Sequence, residues 1–413
     1  MDALLQHAAQ LAHQPGQPLL LPIKGRIAYV VSHGQSYASN GYAIRTQGVA
    51  RALNQSGLET LCFVRPGRPW EMEEYSGSIS PEVAVDGVRY IHSHWQDGDV
   101  PESARERLKK SAERFVELFR VYRPSAVIVA SNWIIGLPAW VAAKRLGLPF
   151  YNEVRGFWEL SHDADEPGYA LSQQGLKAVE RDTFVAQQAL KVFTLNEPMK
   201  GELGQRGMDE RKIEIVPNGL SELPLVQPAD PGLKQKLGIQ EDDKVIGYVG
   251  SFNAYEGLDL LLEACAELVR KGERLKLLLV GDDQPLTLKN KSGASAAHVT
   301  QSDKSWVIQA GRVPHEQVAG YYALIDAVVI PRKKLPVCEL VPPMKAAEAL
   351  AYGKRLLVSD VAPLAEYAQK YDSVMSFEAG SAASLAQAMQ GSLKLPAPKP
   401  TTELLFAKHT EPM

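Results

Sequence analysis

Short apolar runs rich in β-forming residues recur along this chain at intervals filled by helical patterns, and that alternation points to parallel sheets with crossover helices. The first series comprises Ile27–Val31, Leu61–Val64, Ala126–Ala130, Phe150–Tyr151, Val192–Thr194 and Ile213–Val216. A second comprises Val245–Val249, Leu275–Val280, Val307–Gln309, Ala327–Ile330 and Leu356–Val358. Helical patterns such as Ala43–Gln55, Glu102–Arg123 and Leu258–Arg270 lie between them. The series are parted by Pro217-Asn218-Gly219 and a segment rich in proline and polar residues, Ser221–Gly232, which marks a domain boundary. The expected organisation is therefore α/β, with two doubly wound, Rossmann-like domains over residues 1–220 and 221–390. A linker and tail over 391–413 are long enough to return to the first domain. Ligands of open sheets collect beyond the carboxyl ends of the strands, so a cleft between the two domains is the expected site.

A length of 413 residues with 45% hydrophobic content supplies two cores of about 200 residues each. A formal net charge of −3 argues against a nucleic-acid partner. Cys62, Cys265 and Cys338 are scattered, which suggests neither a disulfide framework nor a zinc site and fits a reducing cytoplasm. Residues 1–25 lack a signal-peptide pattern, and no apolar run approaches the roughly 18 residues that span a bilayer. Contact with the inner face of a membrane is peripheral at most. Gln284–Lys304 reads as a solvated loop, Leu395–Pro400 as a stiff linker, and Met1–His13 as a helix. The basic helix Glu102–Arg123 reads as a solvated face over a stripe of Leu108, Phe115, Leu118 and Phe119.

Chemistry concentrates in Glu339-Leu-Val-Pro-Pro-Met-Lys345-Ala-Ala-Glu348. Pro342 and Pro343 announce a helix start, whose free N–H groups and positive dipole end suit phosphate. Lys345 is repelled there by the dipole, a conflict that a bound anion would remove. Glu348 shares the face of Lys345 one turn on, and Glu339 lies in the loop leading in. The first strand leads through His33 to Gly41 at a helix entry, where a glycine admits close ligand approach. No dinucleotide fingerprint or P-loop is present. Glu153-Val-Arg155-Gly-Phe-Trp158-Glu159 follows another strand and suits either a carbohydrate or phosphate pocket or an ion-paired loop. His33 faces the expected cleft, whereas His92 and His94 lack a third metal ligand.

The opening of the second domain, Gly247-Tyr-Val-Gly250-Ser251-Phe-Asn-Ala-Tyr255-Glu256-Gly257-Leu-Asp259, repeats the strand, glycine turn and helix. With Val216-Pro-Asn-Gly219, Leu279-Val-Gly-Asp282, Gly311-Arg-Val313-Pro314 and Glu348-Ala-Leu-Ala-Tyr-Gly353, it resembles retaining glycosyltransferases of the GT-B fold, family 4. The resemblance runs from about Arg26 to Gln390, and its wording is nearest to a bacterial exopolysaccharide or surface-glycan branch.

That resemblance implies a nucleoside-diphosphate sugar as donor, without choosing among UDP, GDP and dTDP, and a glycan, lipid-linked or protein acceptor in the first domain. No metal or other cofactor is required. Glu348 matches the acid that takes both ribose hydroxyls, and Glu339 the acid near the reacting carbon of the donor sugar. The backbone of Val341, Pro342 and Met344, with Gly41, Gly250 and Ser251, would hold the diphosphate, and Val313 would line the base. The first domain would offer Glu153, Arg155 and Trp158 to the sugar or acceptor, with His33 beside them. The Arg and Lys that many members direct at the diphosphate are here Ser251 and Glu256. Either Lys345 and Arg332, with Lys333 or Lys334, replace them, or transfer activity has been lost. A nucleotide-sugar epimerase of the same architecture and a non-catalytic binding partner are the alternative readings.

Overall fold

The computed structural model describes residues 2–413 apart from 74, 76, 96–98, 283–304, 393, 397 and 399–401, with His315 described without its side chain. The loop expected over Gln284–Lys304 and part of the linker Leu395–Pro400 lie outside the described residues. The chain forms two compact units, Met1–Ser221 together with Leu405–Met413, and Glu222–Leu404.

The first unit holds eight strands: β1 (Arg26–Val31), β2 (Glu59–Val64), β3 (Glu82–Val85), β4 (Val88–Ile91), β5 (Ala126–Ala130), β6 (Phe150–Glu153), β7 (Val192–Thr194) and β8 (Ile213–Ile215). They lie in the order β3-β4-β2-β1-β5-β6-β7-β8. All pair in parallel except the β3–β4 hairpin. That hairpin was not anticipated from the sequence. Asp86 and Gly87 turn it with φ of 44° and 78°, the left-handed pair a two-residue hairpin requires.

In the second unit β9 (Lys244–Gly250), β10 (Leu275–Gly281), β11 (Val307–Gly311), β12 (Ala327–Ile330), β13 (Arg355–Ser359) and β14 (Val374–Phe377) form a sheet in the order β11-β10-β9-β12-β13-β14. Both faces are covered, so the strands are apolar throughout rather than alternating; β12 is buried along its length. The helix Leu258–Arg270 packs Leu261, Leu262, Cys265 and Leu268 on Tyr248, Leu277, Leu279 and Val329, each leucine contributing about 2 kcal/mol by burial.

The order in which strands are added reverses beside one strand in each sheet. In the first, β1 pairs with β2 on one side and β5 on the other; in the second, β9 lies between β10 and β12. Connections leave such a switch point in opposite directions and open a crevice there. His33 and the helix Gly41–Gln55 follow β1, Glu256 follows β9, and Arg332 follows β12. Leu405–Met413 belongs to the first unit through the Phe406 N–H, which donates to Leu220 O at 2.9 Å. Phe406 also fills the space over Gly48, where a Cβ would overlap its ring.

Candidate active site

Two glycines bring the charged groups of the second unit together. Gly257, at φ 72°, starts the helix Leu258–Arg270 with its Cα against the Pro331 carbonyl, where any side chain would collide. The loops after β9 and β12 therefore touch, and Glu256 meets Arg332. Gly250, at φ 143°, leaves room for the aliphatic stem of Lys345, which a Cβ would overlap.

Glu256 is 1% exposed, and its Oε1 accepts from Arg332 Nη2 at 3.1 Å and Lys345 Nζ at 2.6 Å. Burial alone would raise its pKa, but the charges of Arg332 and Lys345 override that and hold it at about 2. Lys345 is pulled the other way, since burial first and Arg332 second depress it against the support of Glu256. Its ammonium also lies 5.0 Å from the Tyr248 ring centroid, a cation–π contact. Two cations thus share one carboxylate, leaving one positive charge in excess. The carboxylate of Glu256 answers the repulsion anticipated for Lys345 at a helix start.

Arg332 Nη1 donates to Val341 O at 2.7 Å, so the same guanidinium pins the segment entering the helix Lys345–Ala351. Val341, Pro342 and Met344 form that half-buried lead-in. Glu348 follows one turn after Lys345, beside Tyr322 and Tyr352, whose rings stack at 4.2 Å. Its charge adds to burial in raising both phenols. Glu339 is not in a loop but in the short helix Pro336–Leu340, where its Oε2 accepts from the Ala362 N–H at 2.9 Å and caps the helix Ala362–Lys370. Ser251 is exposed, and its carbonyl accepts from the Tyr248 hydroxyl at 2.6 Å. Val313 is half-buried after β11, next to Arg312, which pairs with Asp282 at 3.0 Å. Lys333 pairs with Asp259 at 2.8 Å.

In the first unit the expected sugar pocket at Glu153 and Arg155 is corrected. Glu153 is 0% exposed; Oε1 accepts from Arg45 at 2.8 Å, and Oε2 accepts from Arg155 at 2.9 Å and from the Tyr29 hydroxyl. Burial would raise it, yet Arg155 and Arg45 hold it at about 2. Arg155 continues to Tyr42 O and Thr46 Oγ1, and Arg45 to Val216 O and Pro217 O. The cluster ties β1, β6, the helix Gly41–Gln55 and the segment after β8 together, and a fully buried carboxylate with both oxygens engaged has no face for a sugar. Trp158 is 44% exposed and lies edge-on to His162. Gly41 is the exposed first residue of its helix, after Asn40, whose side chain caps Ala43 N. His33 is held down at about 4, first by burial and then by Arg68 and Arg65, so it is neutral near pH 7.

Several groups were missed by sequence reasoning. Arg65 and Arg68 flank Pro-Gly directly after β2, a signal visible in the sequence. Asp182 gave none. It is pushed up to about 7 by burial, against a hydrogen bond from Trp133 N, and lines a small cavity with Ser131, Asn152 and Arg206. Among the described residues no His, Cys, Asp or Glu group is placed to hold a metal, and no helix is long and apolar enough to cross a membrane.

Two parallel-sheet α/β units with charged groups gathered at a switch point are the architecture of GT-B proteins. Residues 40–219 match the family model described as Glycosyl transferase 4-like domain, and residues 230–402 match Glycosyl transferases group 1. The chain belongs to these GT-B glycosyltransferases of family 4. It is 28% identical over 217 residues to a D-inositol 3-phosphate glycosyltransferase of Segniliparus rotundus, a match covering 50% of this chain and 45% of that relative, about half the relative's length. Its fold is similar to sucrose-phosphate synthase from Thermosynechococcus elongatus, with TM-score 0.66, 20% identity and coverage of 93% of this chain and 92% of that one. It is also similar to HepE of Anabaena in complex with UDP and glucose, with TM-score 0.62, 13% identity and coverage of 94% and 93%.

Proposed function

We propose that the chain is a retaining glycosyltransferase that moves a sugar from a nucleoside-diphosphate sugar to a glycan, lipid-linked or protein acceptor in bacterial surface-glycan assembly. The observation that carries this reading is the excess positive charge at the β9/β12 switch point, one helical turn before Glu348. The solved structure of HepE with UDP and glucose supports a nucleotide-sugar donor of this kind, and the similarity to an inositol-phosphate glycosyltransferase supports sugar transfer.

In this reading Lys345 is the cation that meets the departing diphosphate. One of its three N–H donors serves Glu256, and the others are turned to phosphate oxygens, where charge develops as the sugar leaves. Arg332, engaged by Glu256 and Val341 O, is a positioning residue that fixes the Val341–Met344 backbone along the phosphates, with Gly250 and Ser251 opposite. Glu348 takes the ribose hydroxyls, and Val313 lines the base. Glu339, with Oε2 held by Ala362, presents Oε1 to the donor sugar. In the first unit neutral His33 and exposed Trp158 receive the acceptor. The leaving phosphate takes the proton of the attacking hydroxyl on the same face.

The test is incubation with UDP-, GDP- and dTDP-sugars, with and without a glycan acceptor, following nucleotide release and the anomeric proton of the product. Acceptor-dependent release with the donor's configuration kept supports the proposal. An epimerised nucleotide sugar without release, or nucleotide binding with no turnover under any condition, contradicts it.

A further inference from the structure

Val31 and Val64 are opposite each other in the β1–β2 pair, so the segments leaving those strands start side by side, one carrying His33 and the other Arg65-Pro66-Gly67-Arg68. The second segment is held tightly: Arg65 N donates to Val31 O at 2.8 Å and Gly67 N to Ser93 O at 2.8 Å. Gly67, at φ 88°, has no room for a side chain, because a Cβ would overlap Trp95 Nε1 and the Glu71 carboxylate.

The two arginines are poorly served among the described residues. Among the described residues the Arg68 side chain makes no hydrogen bond or ion pair, and the Nε groups of Arg65 and Arg68 are both buried without a partner. The acid nearest Arg65 is Glu71 at 3.6 Å, and that carboxylate is already engaged by Arg107 at 2.7 and 3.0 Å and by Trp95 Nε1 at 2.7 Å. Two guanidinium groups, those of Arg65 and Arg107, therefore already share one carboxylate. Removing guanidinium N–H groups from water with no acceptor is unfavourable, and two cations side by side add repulsion. An oxyanion accepting from both forks would offset both costs, and phosphate matches guanidinium geometry in two-pronged fashion. The neutral imidazole of His33 and the Tyr37 hydroxyl, 3.4 Å from His33 Nδ1, border the same place with groups suited to a sugar hydroxyl.

We infer that the first unit carries an oxyanion subsite, built by Arg65 and Arg68 beside His33, which takes a phosphate ester group of the acceptor. The word acceptor rests on the transferase reading; the subsite itself does not.

The test is titration of the full-length protein, with its histidine rings labelled with carbon-13, against inorganic phosphate, reading the His33 ring signal. Arg68→Gln removes no bond among the described residues, and circular dichroism checks that the fold is kept; Arg65→Gln is the second variant. Saturable movement of the His33 signal, weakened about tenfold or more in either variant, supports the subsite. No saturable movement, or equal affinity in both variants, overturns it. Competition against phosphate by a soluble sugar phosphate, or by vesicles containing a diphosphate-linked polyprenol, separates the two sources of the group. Displacement by neither overturns the acceptor assignment. Failure of the unmodified protein to bind any nucleoside diphosphate by calorimetry would sink the transferase reading while leaving the His33 titration to decide the subsite.

Discussion

Lys345 Nζ lies 2.6 Å from Glu256 Oε1, joining the first residue of a helix to a carboxylate 89 positions earlier in the chain. The pair gives a place to the acid before Gly257, where the family resemblance leads one to expect a lysine. The cation at the switch point arrives instead from the helix Lys345–Ala351 and is held by Glu256.

Glu256→Gln should destabilise the second unit by about 3 to 5 kcal/mol, because Arg332 and Lys345 would stay buried without a carboxylate. Denaturant unfolding measures this, and a loss under about 1 kcal/mol would show that the cluster relaxes at little cost. The carboxylate's pKa is depressed from 4.5 to about 2, so its contribution is fully present above pH 4.5 and fades as pH falls through about 2.

Glu153→Gln should cost a similar amount in the first unit, since Arg45 and Arg155 depend on the same carboxylate. Nucleotide affinity, measured by calorimetry below the unfolding temperature, should not change. A folded variant with weakened nucleotide binding would contradict the structural role given to Glu153.

Asp182→Asn should raise the melting temperature increasingly between pH 4 and pH 7. A buried carboxyl with its pKa raised from 3.8 to about 7 is protonated in the folded chain over a range where the unfolded chain ionises, so stability declines as pH rises through that window. Asparagine keeps an oxygen to accept from Trp133 N and removes the decline. Calorimetric scans should show a gain of at least about 2 °C at pH 7.5 and less at pH 4; a pH-independent difference would exclude the titration.

Lys345→Ala should lower turnover about 100-fold or more if the ammonium meets the leaving diphosphate. Paired measurement of donor affinity and single-turnover rate separates this from a binding effect. An unchanged rate would assign Lys345 to structure alone.

The strand runs were legible because buried parallel strands are continuous apolar stretches, and both switch points follow from their order. The β3–β4 hairpin escaped notice although Asp86-Gly87 between Val85 and Val88 is a strong turn signal; exposed, half-polar Glu82–Val85 lacks the apolar run. β14 escaped for a related reason, since Ser376 interrupts the short apolar run of Val374–Phe377. At the site, Lys345 and Glu348 could be placed on one face because helix spacing is local. The partnership of Glu256 with Arg332 and Lys345 could not, because it depends on two loops touching at Gly257 and Pro331. Glu153 and Arg155 were ambiguous for the same cause: residues past a strand end point to solvent or core according to contacts with Arg45 and Tyr29.

Calorimetric titration of UDP, GDP and dTDP into the protein and into Glu348→Ala tests the donor site most directly. The account predicts that one nucleotide binds selectively and that the variant loses about tenfold or more in affinity for it, as expected when two ribose hydroxyls lose their carboxylate acceptor. Equal affinity of protein and variant, or no binding of any nucleotide, would contradict it.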